Sequence, residues 1–295
     1  MNGKKYLSDT IESLSNFQKS NGFKCELIFQ NCLSTDGTTD IIDAFCSHSP
    51  NSYHYNEKDA GQSDAINKGV SRAKGEWVTW LCADDIILPN LWKALEEADH
   101  AQADIVYGDV IFVIDNQAIP AIGTETHLAG KLAKNRLIIQ QPGTCIRRNV
   151  WHDSGGVNPN LNWMMDYDLF LRLESMNRKF YRSKQFVAAA TIHKDAKTSS
   201  GSIKRLMEIW SILYRSHLRQ VRYFRFKPYY LYLLEYIIKN IESRDVKSGY
   251  PLKFLLKLHR IFWMVSIPNE KDEIEKRFHS IPQELSDFAF IAMRQ

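Results

Sequence analysis

The chain has 295 residues, 44% of them hydrophobic and 12% aromatic, which is enough to bury a full core and to form one large domain with an appendage. Its five cysteines are odd in number and include no Cys-x-x-Cys pair, which argues against a disulfide framework or a zinc cluster and favours a reducing cytosol. The sequence shows no signal-peptide core and no membrane-spanning apolar stretch, so we expect a cytoplasmic protein. The net charge of +4 is uneven, since 17 Lys and Arg face 10 Asp and Glu from Gly201 onward.

The first part of the chain predicts a helix, a strand and a polar turn. Apolar residues recur at helical spacing over residues 6–19, and the run 25–30 predicts a strand. The polar turn 31–40 carries Ser and Thr residues that can cap a helix over 39–45. Free backbone N–H groups at such a helix start suit an anionic ligand such as a nucleotide, and a helix that is merely well capped explains the same residues equally well.

The next segment ends in two adjacent acids. A strand at 52–56 and a polar loop at 57–69 lead into a helix, and the apolar run 77–81 predicts a buried strand. Strands that alternate with helices at this spacing favour a mainly parallel sheet, and ligands bind at the C-terminal edge of such sheets. Asp84 and Asp85 lie at that edge and indicate a cation site, for which the alternative is a turn or a helix cap for residues 86–95.

Two more polar positions stand out in the second half. The segment 162–173 begins with acids and predicts an amphipathic helix, on which Asp166 and Asp168 face different directions, so that only one of them points at a common site. A strand over 187–192 ends in His193, a residue type that is most often structural but is also the commonest metal ligand. Residues 103–110 predict another strand with a turn after it.

Residues 202–295 combine apolar and aromatic stretches with basic residues, and the runs 223–239 and 252–264 predict helices. One interpretation is a helical subdomain that packs on the core and turns a solvated basic face outward. The other is a surface that lies on anionic lipid. Nucleic-acid binding is not expected, because the only basic region is apolar and helical.

Four motifs in fixed order resemble the GT-A-fold glycosyltransferases of family two. They are the Ser-Thr-Asp-Gly-Thr turn within residues 27–38, the Glu-Lys-Asp-x-Gly-Gln-Ser-Asp-Ala-Ile-Asn-Lys-Gly loop at 57–69, Ala-Lys-Gly-Glu at 73–76 and Ala-Asp-Asp at 83–85. The resemblance implies an α/β GT-A fold with a mainly parallel central sheet flanked by helices and a C-terminal helical extension. It places the catalytic domain at residues 1–201 and a helical region at 202–295. Within the catalytic domain it implies an acceptor-side strand at 141–148 and a glycine loop at 154–157, where missing side chains let the backbone approach a ligand closely.

The resemblance also implies an inverting, metal-dependent transfer of a hexosyl or N-acetylhexosaminyl group from a UDP-sugar to a glycan or lipid-linked acceptor, in bacterial surface polysaccharide synthesis. Asp166 matches the family's catalytic base, although Met165 stands where a Glu often precedes that base. Because Asp166 takes this role, we expect Asp168 to cap the helix or hold the loop. Asp84, Asp85 and His193 would hold Mn²⁺ or Mg²⁺. A peripheral position at the inner face of the cell membrane would suit a lipid-linked acceptor. The implied nucleotide and diphosphate contacts are Asn31, Asp59, Gln62, Asp64, Asn67 and Asp84.

Three positions depart from the family pattern. The sequence begins inside the turn that normally follows the first strand, so we expect that strand to be missing. Asn31 stands where an Asp is common, and Cys82 replaces the first acid of the usual Asp-x-Asp. A non-catalytic sugar-nucleotide-binding or scaffold protein is therefore the alternative. A nucleotidyltransferase would need a Gly-rich phosphate loop, which we do not find.

Overall fold

The computed structural model describes residues 2–22, 24–114, 117–121, 139–193, 197 and 203–220, together with Leu233 and Ile237. Helices and strands alternate along the first half of this chain. The helices are α1 Lys4–Ser20, α2 Thr38–His48, α3 Gln62–Arg72, α4 Leu91–His100, α5 Arg148–Ser154, α6 Met165–Ser175 and α7 Ile203–Gln220. The strands are β1 Leu27–Asn31, β2 Ser52–Asn56, β3 Trp77–Val78, β4 Asp85–Ile87, β5 Ile105–Ile114, β6 Gln117–Ala121, β7 Thr144–Arg147 and β8 Phe180–Ile192.

Two sheets form from these strands. β1 and β2 pair in parallel, and the larger sheet has the order β3-β7-β5-β8-β4, with β6 on the far part of β5. Within the larger sheet β5 and β8 are parallel, whereas the other pairs run antiparallel. The α/β class with a central sheet flanked by helices is confirmed, but the expectation that the sheet is mainly parallel is wrong for its larger part. Strand-helix alternation reveals where crossovers occur along the chain, but it does not reveal which strands become neighbours.

The segment around the acid pair differs from its predicted form. The strand expected over 77–81 pairs only at Trp77 and Val78, and the second acid, Asp85, is the first residue of β4, which ends before α4 begins at Leu91. β3 and β4 lie at opposite ends of the strand order, so the six residues 79–84 that join them pass across the strands between. The acid pair therefore closes a turn and does not cap a helix.

The core has two layers, one on each face of the larger sheet. Alternate residues of β5 serve both, because successive side chains of a strand point to opposite faces. Ile105 and Tyr107 pack with α3, α5, α6 and α7, whereas Val106 packs with α1 and α4. From α7 the buried residues of the first layer are Leu206, Ile209, Ile212 and Leu213.

The C-terminal predictions fall mostly beyond these elements. The helices expected over 223–239 and 252–264 lie outside the described residues, apart from Leu233 and Ile237. Within the described part of the chain, we find no helix that has both the length and the hydropathy to cross a bilayer. The boundary between residues 201 and 202 stays a prediction.

Candidate active site

The turn 82–85 is held in place by the first helix. Two hydrogen bonds between Cys82 and Asp85 close it: the Asp85 N–H donates to the Cys82 carbonyl at 3.2 Å, and the Cys82 N–H donates to the side-chain Oδ2 of Asp85 at 3.2 Å. The buried hydroxyl of Thr10 lies 2.9 Å from the carbonyls of both Ala83 and Asp85. Gly3 is packed so closely that a Cβ there would lie 3.0 Å from the Cβ of Ala83. The tip of this turn therefore has a defined position relative to α1.

Asp84 and His193 meet across 109 residues of chain. His193 Nε2 lies 2.9 Å from Asp84 Oδ2, and its Nδ1 lies 3.1 Å from the Tyr6 hydroxyl. The Tyr6 ring stacks on the imidazole with centroids 4.2 Å apart. A second partner on Nδ1 orients the ring, as is usual for histidines at metal sites. The family resemblance predicted that Asp84 and His193 hold the same cation, but nothing in the sequence predicted that Tyr6 lies beside them.

Asp85, the next residue in the turn after Asp84, is buried and only 6% exposed. Burial, followed by the charge of Asp84, raises the pKa of Asp85 to about 7, and hydrogen bonds from Cys82 oppose the rise. Ligand atoms of Cys82, Asp84 and Asp85 lie within 4.8 Å of one another. Two carboxylates and an imidazole are ligands that Mg²⁺ and Mn²⁺ accept, and a bound cation would supply the positive charge that the two acids lack. The donor set thus fits a hard divalent cation.

Cys82 is the poorest ligand of the three residues in this turn. Burial, with the neighbouring acids, raises the pKa of its thiol well above the ordinary value, so the sulfur is protonated and neutral at physiological pH. Its sulfur accepts a hydrogen bond from Gln62 Nε2 at 3.3 Å. A carboxylate at this position would bring a third negative charge, which the thiol does not.

The first turn of α3 joins the acidic turn to the predicted base. Gln62 reaches Cys82, while the next residue, Ser63, donates to the Leu161 carbonyl at 2.7 Å and lies 3.0 Å from Met165 Sδ. Met165 opens α6, and Asp166 follows it. Two consecutive residues of one helix therefore set the relative position of the segments that carry Asp84 and Asp166.

Asp166 is half-buried in the first turn of α6. Its Oδ1 accepts the Tyr167 N–H at 2.7 Å, and burial raises its pKa, although Arg205 and Lys197 act in the opposite direction. A carboxyl with a raised pKa is a stronger proton acceptor than an ordinary Asp, which suits a general base.

Lys197 lies between the two acidic groups, and the sequence analysis missed it. Its Nζ donates to Gln62 Oε1 at 3.1 Å and lies 5.7 Å from the centroid of the Trp163 ring. Partial burial lowers the pKa of Lys197, while the charges of Glu208, Cys82 and Asp166 act to raise it. The only sequence signal was a basic residue shortly after His193.

The glycine loop is tied to α3 and α6. Gly155 and Gly156 have φ of +77° and +68°, a region that favours glycine. Arg172 donates to the carbonyls of Ser154 and Gly156, at 2.5 and 2.6 Å, and to Asp168 at 2.9 Å. Asp168 thus holds the loop through Arg172. Asn67, expected at the nucleotide, also holds this loop by exchanging hydrogen bonds of 2.7 and 3.0 Å with the backbone of Val157.

The other predicted nucleotide contacts, at the end of β1, before α3 and in its first turn, bind neighbouring groups. The Asn31 amide donates to Thr39 and Asn56 and accepts from Ser34. Asp59 accepts the Gly61 N–H at 2.9 Å. Asp64 accepts the Ala60 N–H at 2.9 Å and pairs with Lys68 at 3.0 Å. Among these residues, the structure brings Gln62 into the cluster with Asp84 and His193 and leaves Asn31, Asp59 and Asp64 shaping the neighbouring loops.

The turn after β1 binds the start of α1. Asp36 accepts the N–H of Lys4 at 3.0 Å and that of Thr38 at 3.1 Å. The N-cap of α2 is Gly37 in the left-handed conformation, with no side-chain cap bond, so the expected Ser or Thr cap is wrong. This turn therefore fixes the position of the first residues of α1.

Comparison with known proteins relates the chain to sugar transferases. The profile of Glycosyl transferase family 2 matches residues 1–156. A PGL/p-HBAD biosynthesis glycosyltransferase of Mycobacterium tuberculosis is 28% identical over 155 residues, which is 50% of this chain and 57% of the relative. The chain thus spans little more than half the length of this curated relative.

Solved structures share the fold at low sequence identity. TarS 1–349 of S. aureus, in complex with UDP-GlcNAc, gives a TM-score of 0.61 at 18% identity and covers 83% of this chain and 74% of its own. The mannosyltransferase PcManGT from Pyrobaculum calidifontis, in complex with GDP-Man and Mn²⁺, gives 0.56 at 14% identity and covers 86% and 76%. Both similarities support the GT-A fold.

Proposed function

The chain belongs to glycosyl transferase family 2, and from this premise we propose that it moves a sugar from a nucleoside-diphosphate donor to an acceptor hydroxyl. The proposed donor is a UDP-sugar that carries a hexose or an N-acetylhexosamine. The proposed acceptor is a glycan or a lipid-linked saccharide in surface polysaccharide synthesis. The reaction inverts the anomeric centre.

The contact between Asp84 and His193 carries this proposal. A carboxylate and an imidazole from segments 109 residues apart lie 2.9 Å from each other beside a second carboxylate, Asp85. Two of these groups are hard oxygen ligands and the third is a nitrogen ligand, a set suited to Mn²⁺ or Mg²⁺. Asp84 and His193 would hold the cation, and the buried Asp85 would be a further ligand.

The chain's own residues divide the chemistry between two sides. A divalent cation, when bound, neutralises the charge that develops on the diphosphate leaving group. Gln62 and Lys197 add polar and positive groups next to the acidic turn. On the other side Asp166 takes the proton from the attacking hydroxyl, a step that contributes roughly 10²–10⁴-fold to the rate. A single displacement of this kind inverts the sugar centre.

The similar structures guide the choice of substrates. TarS is described in complex with UDP-GlcNAc, and PcManGT in complex with GDP-Man and Mn²⁺. These complexes support the nucleoside-diphosphate class of donor and make manganese the first cation to test.

The basic C-terminal region is proposed to bring the enzyme to the cytoplasmic face of the membrane. From Gly201 onward 17 bases face 10 acids, and in α7 the side chains of Lys204, Met207 and Arg215 are exposed. Basic and apolar groups together favour anionic lipid surfaces. Liposomes with anionic lipid should sediment the full chain in a salt-sensitive manner. Equal sedimentation after truncation at Gln220 would exclude residues 221–295 as the lipid-binding region.

A donor panel tests the main proposal. UDP-glucose, UDP-galactose, UDP-GlcNAc, UDP-GalNAc and GDP-mannose are offered with Mn²⁺ or Mg²⁺, and release of the nucleoside diphosphate is measured for the parent chain and for Asp166→Asn. We expect turnover of at least one donor by the parent, and loss of turnover with retained UDP binding in the variant. Binding without turnover in both proteins would favour the non-catalytic alternative.

A further inference from the structure

Glu208 of α7 binds three consecutive backbone amides that lie just before Asp166. Its Oε1 accepts the Asn162 N–H at 2.8 Å, and its Oε2 accepts those of Trp163 and Met164 at 2.9 and 3.1 Å. These partners are 44 to 46 residues away along the chain. One carboxylate thus uses both oxygens to hold the segment that leads into α6.

These three amides lie directly before a helix that begins without a conventional side-chain cap. The N-cap residue of α6 is Met164, and no side chain caps the helix from that position. N–H groups at a helix start need partners, and a negative charge near the positive end of the helix dipole is favourable. Hydrogen bonds to an ionised acceptor are roughly twice as strong as neutral ones. Glu208 therefore determines how the chain enters α6.

Ser63 of α3 contacts the residues on either end of the same segment. Ser63 donates to the Leu161 carbonyl at 2.7 Å and touches Met165, whereas Glu208 binds residues 162–164. Asp166 is the next residue after this doubly held stretch, so any shift of the segment moves its carboxylate. The charge of Glu208 also attracts Lys197, which bonds Gln62 on the cation side.

Glu208 is the single acid among the 18 residues of α7, and its neighbours Lys204 and Arg205 are basic. A surface ion pair within the helix would be the ordinary use of such an acid. Here the half-buried carboxylate instead serves the backbone of another segment, and it lies outside residues 1–156, which match the family profile.

We propose that Glu208 is a positioning residue that sets the location of the base Asp166 by anchoring the amides of residues 162–164. This proposal rests on the proposed function, in which Asp166 accepts the proton. It makes α7 part of the catalytic unit, although the cation and nucleotide residues lie elsewhere in the chain.

The test compares Glu208→Gln with the parent chain and with Glu96→Gln, which removes an exposed acid from α4. We expect kcat for the best donor of the panel to fall about 100-fold in Glu208→Gln, since a misplacement of roughly 1 Å in a reacting group costs that much. The Kd for UDP with Mn²⁺ and the binding stoichiometry should stay within twofold, which a general loss of folded protein would not allow. Hydrogen exchange should accelerate at residues 162–164 and not in α4. Glu96→Gln should match the parent in all readouts.

Glu208→Asp keeps the charge but shortens the side chain, and it carries the test if the Gln variant fails to fold. We expect a smaller loss of kcat in this variant, about tenfold, with faster exchange at the same amides. Parental kcat with parental exchange in a folded variant overturns the proposal, and so does a loss of UDP binding that parallels the loss of kcat. If the parent turns over no donor, the proposed function fails, and the exchange measurement still decides whether Glu208 anchors the segment.

Discussion

The two segments that carry the candidate acids are held by opposite kinds of partner. Neutral hydroxyl and backbone groups hold the turn 82–85, above all Thr10 of α1, and Asp84 contacts the imidazole of His193. A charged carboxylate, Glu208, holds the segment 162–164. On that side the bases Arg205 and Lys197 act on Asp166, and Lys197 also bonds Gln62 beside the acidic turn.

This difference indicates that the acidic turn depends on a bound cation, whereas the region around Asp166 depends on packing and hydrogen bonds. The acidic turn places two carboxylates next to each other, and burial, followed by the charge of Asp84, raises the pKa of Asp85. The base side is close to neutral in itself, and its geometry comes from long-range hydrogen bonds. We therefore expect cation binding to respond to changes in the turn, and stability and the pH profile to respond to changes around α6.

The largest expected effect breaks the acidic turn. Asp84→Asn removes a charged ligand, so we expect Mn²⁺ affinity and turnover to fall by about 10²–10³-fold, since a bound metal contributes several kcal/mol to a transition state. Manganese titration by electron paramagnetic resonance and a turnover assay measure the two losses. Asp153→Asn, in an exposed pair with Arg178, is the control and should change neither. An unchanged Mn²⁺ affinity in Asp84→Asn would contradict the cation site.

The next effect concerns the packing of the base side. Arg172→Met removes the hydrogen-bonded partner of Asp168, whose side chain is 11% exposed, leaves it Arg215 at 4.0 Å, and frees two carbonyls of the glycine loop. We expect the free energy of unfolding in urea to fall by about 3 kcal/mol, because a nearly buried carboxylate loses its bonded partner and two carbonyls lose their donors. Arg178→Met breaks a more exposed pair, and it should cost about 1 kcal/mol or less. Equal losses in the two variants would show that Arg172 does not hold the loop in the way described.

A smaller effect sharpens the charge difference between the regions. Cys82→Asp restores the acid of the usual Asp-x-Asp, so we expect Mn²⁺ to bind about tenfold more tightly, which is worth about 1.4 kcal/mol. Without cation the variant should melt at a lower temperature than the parent, because a third carboxylate joins Asp84 and Asp85. Thermal unfolding with and without Mn²⁺ measures both effects, since a ligand that binds the folded state raises its stability. Cys82→Ser is the neutral control, and a similar Mn²⁺ response in the Asp and Ser variants would contradict the prediction.

The smallest effect is a shift in pH dependence. Burial raises the pKa of Asp166 and Arg205 counteracts this, so Arg205→Ala should raise that pKa further. A base acts in its deprotonated form, and kcat/KM rises with pH through its pKa. The acid limb of the profile should therefore move to higher pH in Arg205→Ala. Lys204→Ala removes the same charge from the neighbouring, exposed position, and an equal shift in that variant would exclude a specific role for Arg205.

Local patterns in the sequence predicted most elements and the family. The helix expected over 6–19 is observed at Lys4–Ser20, and the strand at 52–56 is observed as Ser52–Asn56. These elements bury one face at a period that a short window reveals, because backbone geometry repeats every 3.6 or 2 residues. The order of the polar motifs identified the family and selected Asp84, His193 and Asp166 as a set. The roles of individual side chains in that set stay predictions.

Tertiary structure decided which strands are neighbours and what each polar side chain does. The sequence did not show that Asn67 and Arg172 hold the glycine loop, that Tyr6 stacks on His193, or that Glu208 anchors the entry to α6. These contacts join residues 16 to 187 positions apart, so they depend on the path of the whole chain and not on local period. The sequence by itself determined most of the elements, because burial of a face repeats locally, and its ordered motifs determined the family. The folded chain alone decided the partners, because a hydrogen bond forms only where two distant segments arrive at the same place.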